Sequence, residues 1–514
     1  MGDSRTKNTL RIIGSGLMSR LISTVLPFIN RTIIIYILGA EFTGLSSLFT
    51  SILSMLNIAE LGFHSAVVYS MYEPVAKNDD QRVCELLTLY KRIYHFVGAF
   101  ILVLGMCIMP FVPNLIQGSV PAGINLYVLY LLYLLNSVLS YLLFSYRESV
   151  LMANQRQDIS QIIRALVKVL QCVLQMIVLI CTKNFYAYLL VEIICTGITN
   201  LALAAETKKR FPQYECVKKK VPMPEAIKKQ VSGLLVGKIC DKARNSLDSI
   251  VLSAFFGLTT VAIYDNYYLI YSALYSIMLV VCNSMAASIG NSIITETVEK
   301  NYENLLKFSF IQAWISGWIT ICMLCIYQPF MRLWMGETLM FPERDMILMC
   351  VYFYVINMNN IRNQFVSGTG MWWKLKYSYA LEAIGNIVLN VVLGKLLGIA
   401  GVILATIITI FFMNFLWRTI LLFRNYFKTM SLKQFLLDHL GWASAIVIAA
   451  GVTYTICNKI QLGSITQVIV NVIVCVIVPN VILLALFIKT KQFTEAKAFG
   501  IKILGHLLKK RIRG

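Results

Sequence analysis

Apolar runs of about 20 residues or more, separated by short polar stretches, recur from one end of the chain to the other. A helix needs roughly 20 such residues to cross the hydrocarbon of a bilayer. By that criterion the pattern predicts about 14 spans. The first six fall near 10–38, 44–72, 87–112, 122–145, 159–181 and 185–205. Six more fall near 231–256, 260–290, 305–330, 346–368, 377–397 and 402–423, and the last two near 442–457 and 465–488. One long polar interruption, "ETKKRFPQYECVKKKVPMPEAIKKQ", separates the first six from the second six. The expected class is therefore all-α and polytopic. Its parts are a six-helix half over 1–205, a basic linker over 206–230, a second six-helix half over 231–424, two accessory helices within 425–488 and a basic amphipathic tail over 489–514. The first apolar run is too long for a cleavable signal peptide and reads as a span.

The two halves are weakly alike. Sliding the first span onto the seventh sets Arg20 on Lys238, Asn30 on Asp248 and Gly39 on Gly257. Transporters are often built from two such repeats, with a site where the repeats meet.

Composition agrees with the membrane reading: 58% of the 514 residues are hydrophobic and 14% are charged, against about 25% charged in soluble domains. The formal charge of +21 is concentrated in alternate loops. With the N-terminus in the cytoplasm, inner loops hold about 30 basic residues and outer loops about five. Both termini and the linker are then cytoplasmic. The same charge suits an anionic lipid surface and gives no reason to invoke nucleic acid. The longest outer loop, near 330–345, is about 16 residues, too short for a domain of its own. A catalytic function is therefore not expected, and no catalytic residues stand out. "GSGLMSR" lacks the GxxxxGK[ST] frame of an ATP-hydrolysing loop. Cys322 and Cys325 form a CxxC inside an apolar run. It reads as helix packing, because a zinc site needs a second ligand pair and no spacing in the sequence supplies one. No metal site or cofactor is expected.

Polar residues inside the spans carry the candidate chemistry. In the seventh span Lys238, Asp241, Lys242, Asn245, Asp248 and Ser249 share one helical face. Arg20, Ser23, Thr24, Pro27 and Arg31 do so in the first span, and Ser47, Ser51, Ser54, Glu60 and His64 in the second. Gln161, Arg164, Lys168, Gln171 and Gln175 follow the helical repeat in the fifth, as do Glu382, Asn386 and Asn390 in the eleventh. A charge at mid-bilayer costs at least about 2.5 kcal/mol, so such faces turn to protein or to a wet cavity. The expectation is a shared, water-accessible space, net positive in the N-terminal half. Plainer readings stand beside it. Arg20, Arg31 and Arg164 could snorkel to headgroups, Asp248 and Glu382 could be structural pairs, and His64 a packing residue.

The segment "RTIIIYILGAEFTGLSSLFTSILSMLNIAELGFHSAVVYSMYEPVAKND" resembles the start of bacterial polysaccharide repeat-unit flippases of the multidrug/oligosaccharidyl-lipid/polysaccharide superfamily. The Gram-positive capsule and cell-wall branch is the most similar. "LGAEFTGL", "AELG", "MYEPVAKND", "KNFYAYLLVEI" and "NSLDSIVLSAFFGLTTVAIYDNYYLI" carry the likeness, over roughly 10–423. It departs from that pattern at "CDKAR" and at His64. The resemblance implies two six-helix bundles facing one another in a V, plus two accessory helices, in a bacterial plasma membrane. It implies a substrate, an undecaprenyl-diphosphate-linked oligosaccharide moved from the inner to the outer leaflet, and polysaccharide polymerase machinery as a partner. Arg20 and Arg31 match its cationic first-helix positions and Asp248 its acidic seventh-helix position.

The residues themselves fit that task. Arginine forks suit phosphates, and Asn, Gln and Tyr suit sugar hydroxyls. The expected substrate-binding set is Arg20, Arg31, Arg164, Lys168, Lys238 and Lys242. Glu60, Asp241, Asp248 and Glu382 are the expected ion-coupling or gating set, for sodium or protons. A multidrug/cation antiporter on the same fold is the main rival and should have an acidic, apolar cavity. A membrane polymerase or ligase should have a long outer loop, and a passive scramblase fits the same pattern.

Overall fold

The computed structural model describes residues 5–57, 63–118, 120–217, 242, 246–460 and 462–512. Among them the chain is helical throughout, with no strand. The helices are α1 (Arg5–Ile37), α2 (Ala40–Leu56), α3 (Phe63–Lys77), α4 (Asp80–Ile108), α5 (Leu126–Leu142), α6 (Glu148–Ala153), α7 (Gln157–Thr182) and α8 (Phe185–Arg210). Next come α9 (Ser246–Phe256), α10 (Leu258–Thr295), α11 (Val298–Met335), α12 (Glu343–Asn357), α13 (Asn360–Gly368), α14 (Lys376–Leu397), α15 (Ile399–Thr409) and α16 (Arg418–Asn425). The last are α17 (Leu432–Lys459), α18 (Ser464–Phe487) and α19 (Lys491–Ile512). Asn125 and Asn184 start α5 and α8 by accepting from the free backbone N–H groups of Tyr127 and Val128, and of Tyr186 and Ala187.

Ten helices among the described residues are long and apolar enough to cross a membrane. A pair bent by 44°, Leu126–Leu142 with Ser145–Ala153, makes an eleventh. Three of the expected spans look different. The second is described as α2 and α3, with 58–62 outside the described residues, and the seventh also lies mostly outside them, leaving α9. The tenth breaks between α12 and α13. There the Asn357 and Asn359 side-chain amides donate to the carbonyls of Phe353 and Val355, at 2.7 and 2.9 Å. Such local bonds compete with the helical ladder.

The chain forms two compact units, Met1–Asp265 and Asn266–Gly514. The boundary between them falls inside α10, and the expected linker over 206–230 lies partly outside the described residues. Local packing sets that boundary. Gly44 of α2 lies so close to Leu258 that a Cβ would stand 2.0 Å from its carbonyl oxygen. The Gln117 N–H donates to Ser253 O at 3.0 Å. These contacts hold α9 and the first turns of α10 to the N-terminal unit. Gly257 joins those helices at φ +83°, and Gly39 joins α1 to α2 at φ +114°. Both are conformations that favour glycine.

The N-terminal unit has an apolar core that includes Phe49, Leu87, Tyr90, Leu129, Tyr130 and Val150. In the second unit α11 packs against α12, α17 and α18. The accessory helices are tied to α11 through Trp314 Nε1–Asn480 Oδ1 at 3.0 Å. The tail forms α19, joined to the start of α11 by Lys491–Glu303 at 3.1 Å and by the Phe308 and Phe499 rings.

A candidate substrate pocket in the N-terminal unit

The stripe on α7 faces α1. Gln161 accepts from Ser15 at 2.6 Å. Lys168 donates to Gln171 at 3.2 Å, and Gln171 to Gln175 at 3.3 Å. Gln175 accepts from Asn30 of α1 at 3.1 Å, and Asn30 in turn accepts from the Cys172 thiol. The result is a polar ladder of mostly neutral groups between two membrane helices. Its physical basis is that each amide both donates and accepts, so a row of them can satisfy itself without water.

Not all of the stripe joins the ladder. Arg164 pairs with Glu148 through Nε–Oε1 at 3.2 Å, and its side chain is 49% exposed. Arg20 is also exposed, beside the outward ridge of Met18, Leu21, Val25 and Ile29. That placement fits the snorkelling alternative for both residues. Arg31 is partly buried; it donates to Ala262 O at 3.3 Å, and Asp265 is the carboxylate whose charge bears on it. Ser249 donates to Asp265 at 3.4 Å. Asp248 is 3% exposed and accepts from the Tyr264 hydroxyl at 2.9 Å. Arg31, Asp248 and Asp265 are thus brought together by α1, α9 and the start of α10. Asp265 was missed in the sequence because its span reads as an ordinary apolar run. Its only signal was one carboxylate inside that run.

A cavity of about 420 Å³ opens elsewhere in the same unit. Small-molecule sites run from about 300 to 1,000 Å³. Its wall is polar: Thr50, Ser54 and Asn57 from the end of α2, Asn136, Ser137 and Ser140 from α5, Glu192 and Thr196 from α8, and Lys242. Asn57 accepts from Ser137 at 3.1 Å, and Asn136 donates to Glu192 at 3.4 Å. Asn136 Oδ1 is buried and takes no hydrogen bond, so it is free for a donor from a ligand or a water. The described wall thus carries one cation, Lys242, and one carboxylate, Glu192, with the charge of Lys168 also acting on Glu192.

Of the expected substrate-binding residues, Lys242 lies in this wall, while Arg20, Arg31, Arg164 and Lys168 do not. Lys238, Asp241 and Glu60 lie outside the described residues. Glu382, expected to couple or gate, is in the second unit and is 2% exposed. It forms a buried ion pair with Arg418, which also donates to Ser378 at 2.8 Å and stacks 3.8 Å from the Tyr379 ring centroid. Asn386, on the same stripe, donates to Thr406 of α15 at 3.1 Å. The eleventh-span stripe, expected to face water, is thus sealed against its neighbours. Arg362 is equally buried. It donates to Asn414 and Phe415 carbonyls in a wide π-helical turn, Ile410–Trp417, where the helical ladder leaves acceptors to be met by other groups. Neither Arg362 nor Arg418 was singled out in the sequence, since each sits near the end of an apolar run where snorkelling is the ordinary reading.

The sequence matches no protein-family model and no curated protein. The fold does match solved structures. A lipid II flippase, MurJ, in an inward closed conformation has a TM-score of 0.66 at 14% identity, covering 93% of this chain and 98% of that one. An inward-facing multidrug resistance transporter of the MATE family has a TM-score of 0.61 at 13% identity, covering 79% and 96%. A mutant of the Vibrio cholerae MATE transporter VcmN has a TM-score of 0.57 at 14% identity, covering 83% and 98%. The chain is therefore a multi-pass membrane protein whose fold is similar to those of these structures.

Proposed function

We propose that this chain flips an undecaprenyl-diphosphate-linked oligosaccharide from the inner to the outer leaflet of a bacterial plasma membrane, for surface polysaccharide synthesis. The observation that carries this reading is the polar pocket of the N-terminal unit, with Lys242, Glu192 and an unsatisfied Asn136 oxygen in its wall. A sugar diphosphate needs cations for its phosphates and amides or hydroxyls for its sugars, and both are present. The near end-to-end fold likeness to a lipid II flippase, over 93% of the chain, supports a lipid-linked cargo. Lys242, with Lys168, whose charge bears on Glu192 in the same wall, and with Arg31 of the same unit, serves as the phosphate-attracting set. Asp248 serves as the site of a coupling sodium ion or proton, and alternating access follows from two states that the cargo binds unequally. Both termini lie in the cytoplasm, and the delivered saccharide passes to polymerase machinery.

Deleting the gene should make lipid-linked repeat units accumulate on the cytoplasmic leaflet, and the intact gene should clear them. If deletion leaves the distribution of those lipids unchanged, the reading fails. The rival, a multidrug/cation antiporter, draws on the MATE-family fold likeness; it would instead show as drug sensitivity on deletion with no lipid accumulation.

A further inference from the structure

The second unit holds a cluster that the transport reading does not use. The thiols of Cys325 on α11, Cys457 on α17 and Cys475 on α18 all lie within 4.8 Å of one another, and all three residues are buried. Cys322, one turn before Cys325, reaches Cys475 with its own thiol. The second ligand pair that no sequence spacing supplies comes from two other helices. Around the sulfurs the packing is apolar: Ile321, Ala445, Ile446, Ala449 and Leu483.

The backbone behind each sulfur is pinned. Asn471 donates to the Cys325 carbonyl at 3.0 Å, Gln467 to the Cys457 carbonyl at 3.2 Å, and Trp318 to the Cys475 carbonyl at 2.8 Å. Gln467 also donates to Asn471 at 2.9 Å. Three helices are thus fixed at the turns that present the thiols. Ordinary thiol packing needs no such arrangement. A site that must hold three or four sulfurs at one point does, because ligand geometry is set by the groups behind the ligands.

We propose that Cys325, Cys457 and Cys475, with Cys322 as the fourth donor, bind a soft d10 metal ion, Zn(II) or Cu(I), which clamps α17 and α18 onto α11. Thiolates are the preferred ligands of both ions. A tetrahedral zinc site has Zn–S bonds of about 2.3 Å, so its sulfurs stand roughly 3.8 Å apart. The sulfurs of Cys325, Cys457 and Cys475 need to contract by about an ångström at most, and Cys322, in reach of Cys475, must turn its side chain inward to join them. Each thiol that becomes a ligand gives its proton to bulk water, so affinity rises with pH. Cys457 is two residues before Lys459, the last residue of α17, which puts ion and protons within one turn of the helix end.

The test uses the full chain in detergent, reduced with a phosphine and desalted. Titration with Cd(II), followed by the sulfur-to-cadmium charge-transfer band, should saturate at one ion per chain. Displacement of that band by Zn(II) assigns a zinc site, and displacement by Cu(I) alone assigns a copper site; displacement by neither overturns the proposal. The Cys457→Ser/Cys475→Ser variant should lose the band, whereas Cys350→Ser, altered on α12 away from the cluster, should keep it. Should the double variant fail to fold, the wild-type chain decides. Bound metal must protect Cys325, Cys457 and Cys475 from alkylation, as read by peptide mass. Unprotected cysteines, or a mass showing two of them already joined as a disulfide after reduction, would sink the assignment.

Discussion

Two polar stripes that look alike in the sequence end up in opposite states. On α14 the residues Ser378, Glu382, Asn386 and Asn390 are almost wholly enclosed, at 1%, 2%, 0% and 0% exposure. Their counter-groups come from the same unit: Arg418 for Glu382 and Ser378, and Thr406 for Asn386. On α7 the charged members meet no such closure. Lys168 bonds an amide, and Arg164 reaches Glu148 while about half exposed. The difference teaches where to look for function. A charged stripe becomes scaffold when a neighbouring helix delivers the opposite charge. On α7 Lys168 keeps a neutral partner, and its charge bears on Glu192 in the wall of the polar cavity.

The largest effect should come from breaking the closed stripe. Arg418→Leu leaves Glu382 buried without its partner and should destabilise the protein by about 3–5 kcal/mol. Adding Glu382→Leu should recover most of that loss, since a buried pair replaced by apolar groups is close to neutral. Thermal unfolding in detergent reads both. Equal instability of the double variant would mean that this stripe does more than hold helices together.

The Arg31, Asp248 and Asp265 cluster of the N-terminal unit should respond in transport. Arg31→Glu should abolish lipid-linked saccharide transport with folded protein still in the membrane. Arg31→Lys should restore it only partly, because a point charge replaces a fork. Asp248→Asn keeps an acceptor for the Tyr264 hydroxyl, so its unfolding free energy should change by about 1 kcal/mol or less. It should nevertheless lose transport, with the balance of inward-open and outward-open forms shifted. Wild-type transport by this variant, or failure to fold, would make Asp248 a scaffold residue like Glu382.

A smaller effect is expected in the pocket wall. Lys242→Gln removes one charge-assisted contact to the cargo, which corresponds to about 1.5–3 kcal/mol, and should slow transport by about tenfold or more. Its melting temperature should hardly move. Smallest of all, Arg164→Gln removes an exposed ion pair and should cost about 0–1 kcal/mol with transport intact. A strong transport defect there would restore Arg164 to the binding set.

Most of the architecture was legible because bilayer spans are long. An apolar run near 305–330 or 465–488 has one reading, and α11 and α18 are where it says. The runs that misled are those where polar side chains bond to their own backbone, as at Asn357 and Asn359. The candidate site was less legible. Lys242 and Asp248 announce themselves as charges in a membrane helix, but nothing in one dimension says that Asp248 will meet Tyr264, or that Arg31 will lie near Asp265. The Glu382–Arg418 pair spans two helices and was invisible for the same reason. So was the thiol cluster, whose ligands come from three helices.

The central claim is most directly tested with the purified chain in proteoliposomes that carry a short undecaprenyl-diphosphate-linked oligosaccharide on the inner leaflet. A membrane-impermeant lectin or oxidant added outside reads how much saccharide has crossed. The account predicts that the wild-type chain exposes the saccharide, and that Arg31→Glu and Asp248→Asn chains, equally folded, expose no more than protein-free vesicles. Exposure by the wild type that does not exceed protein-free vesicles, with cationic drugs transported instead, would contradict it.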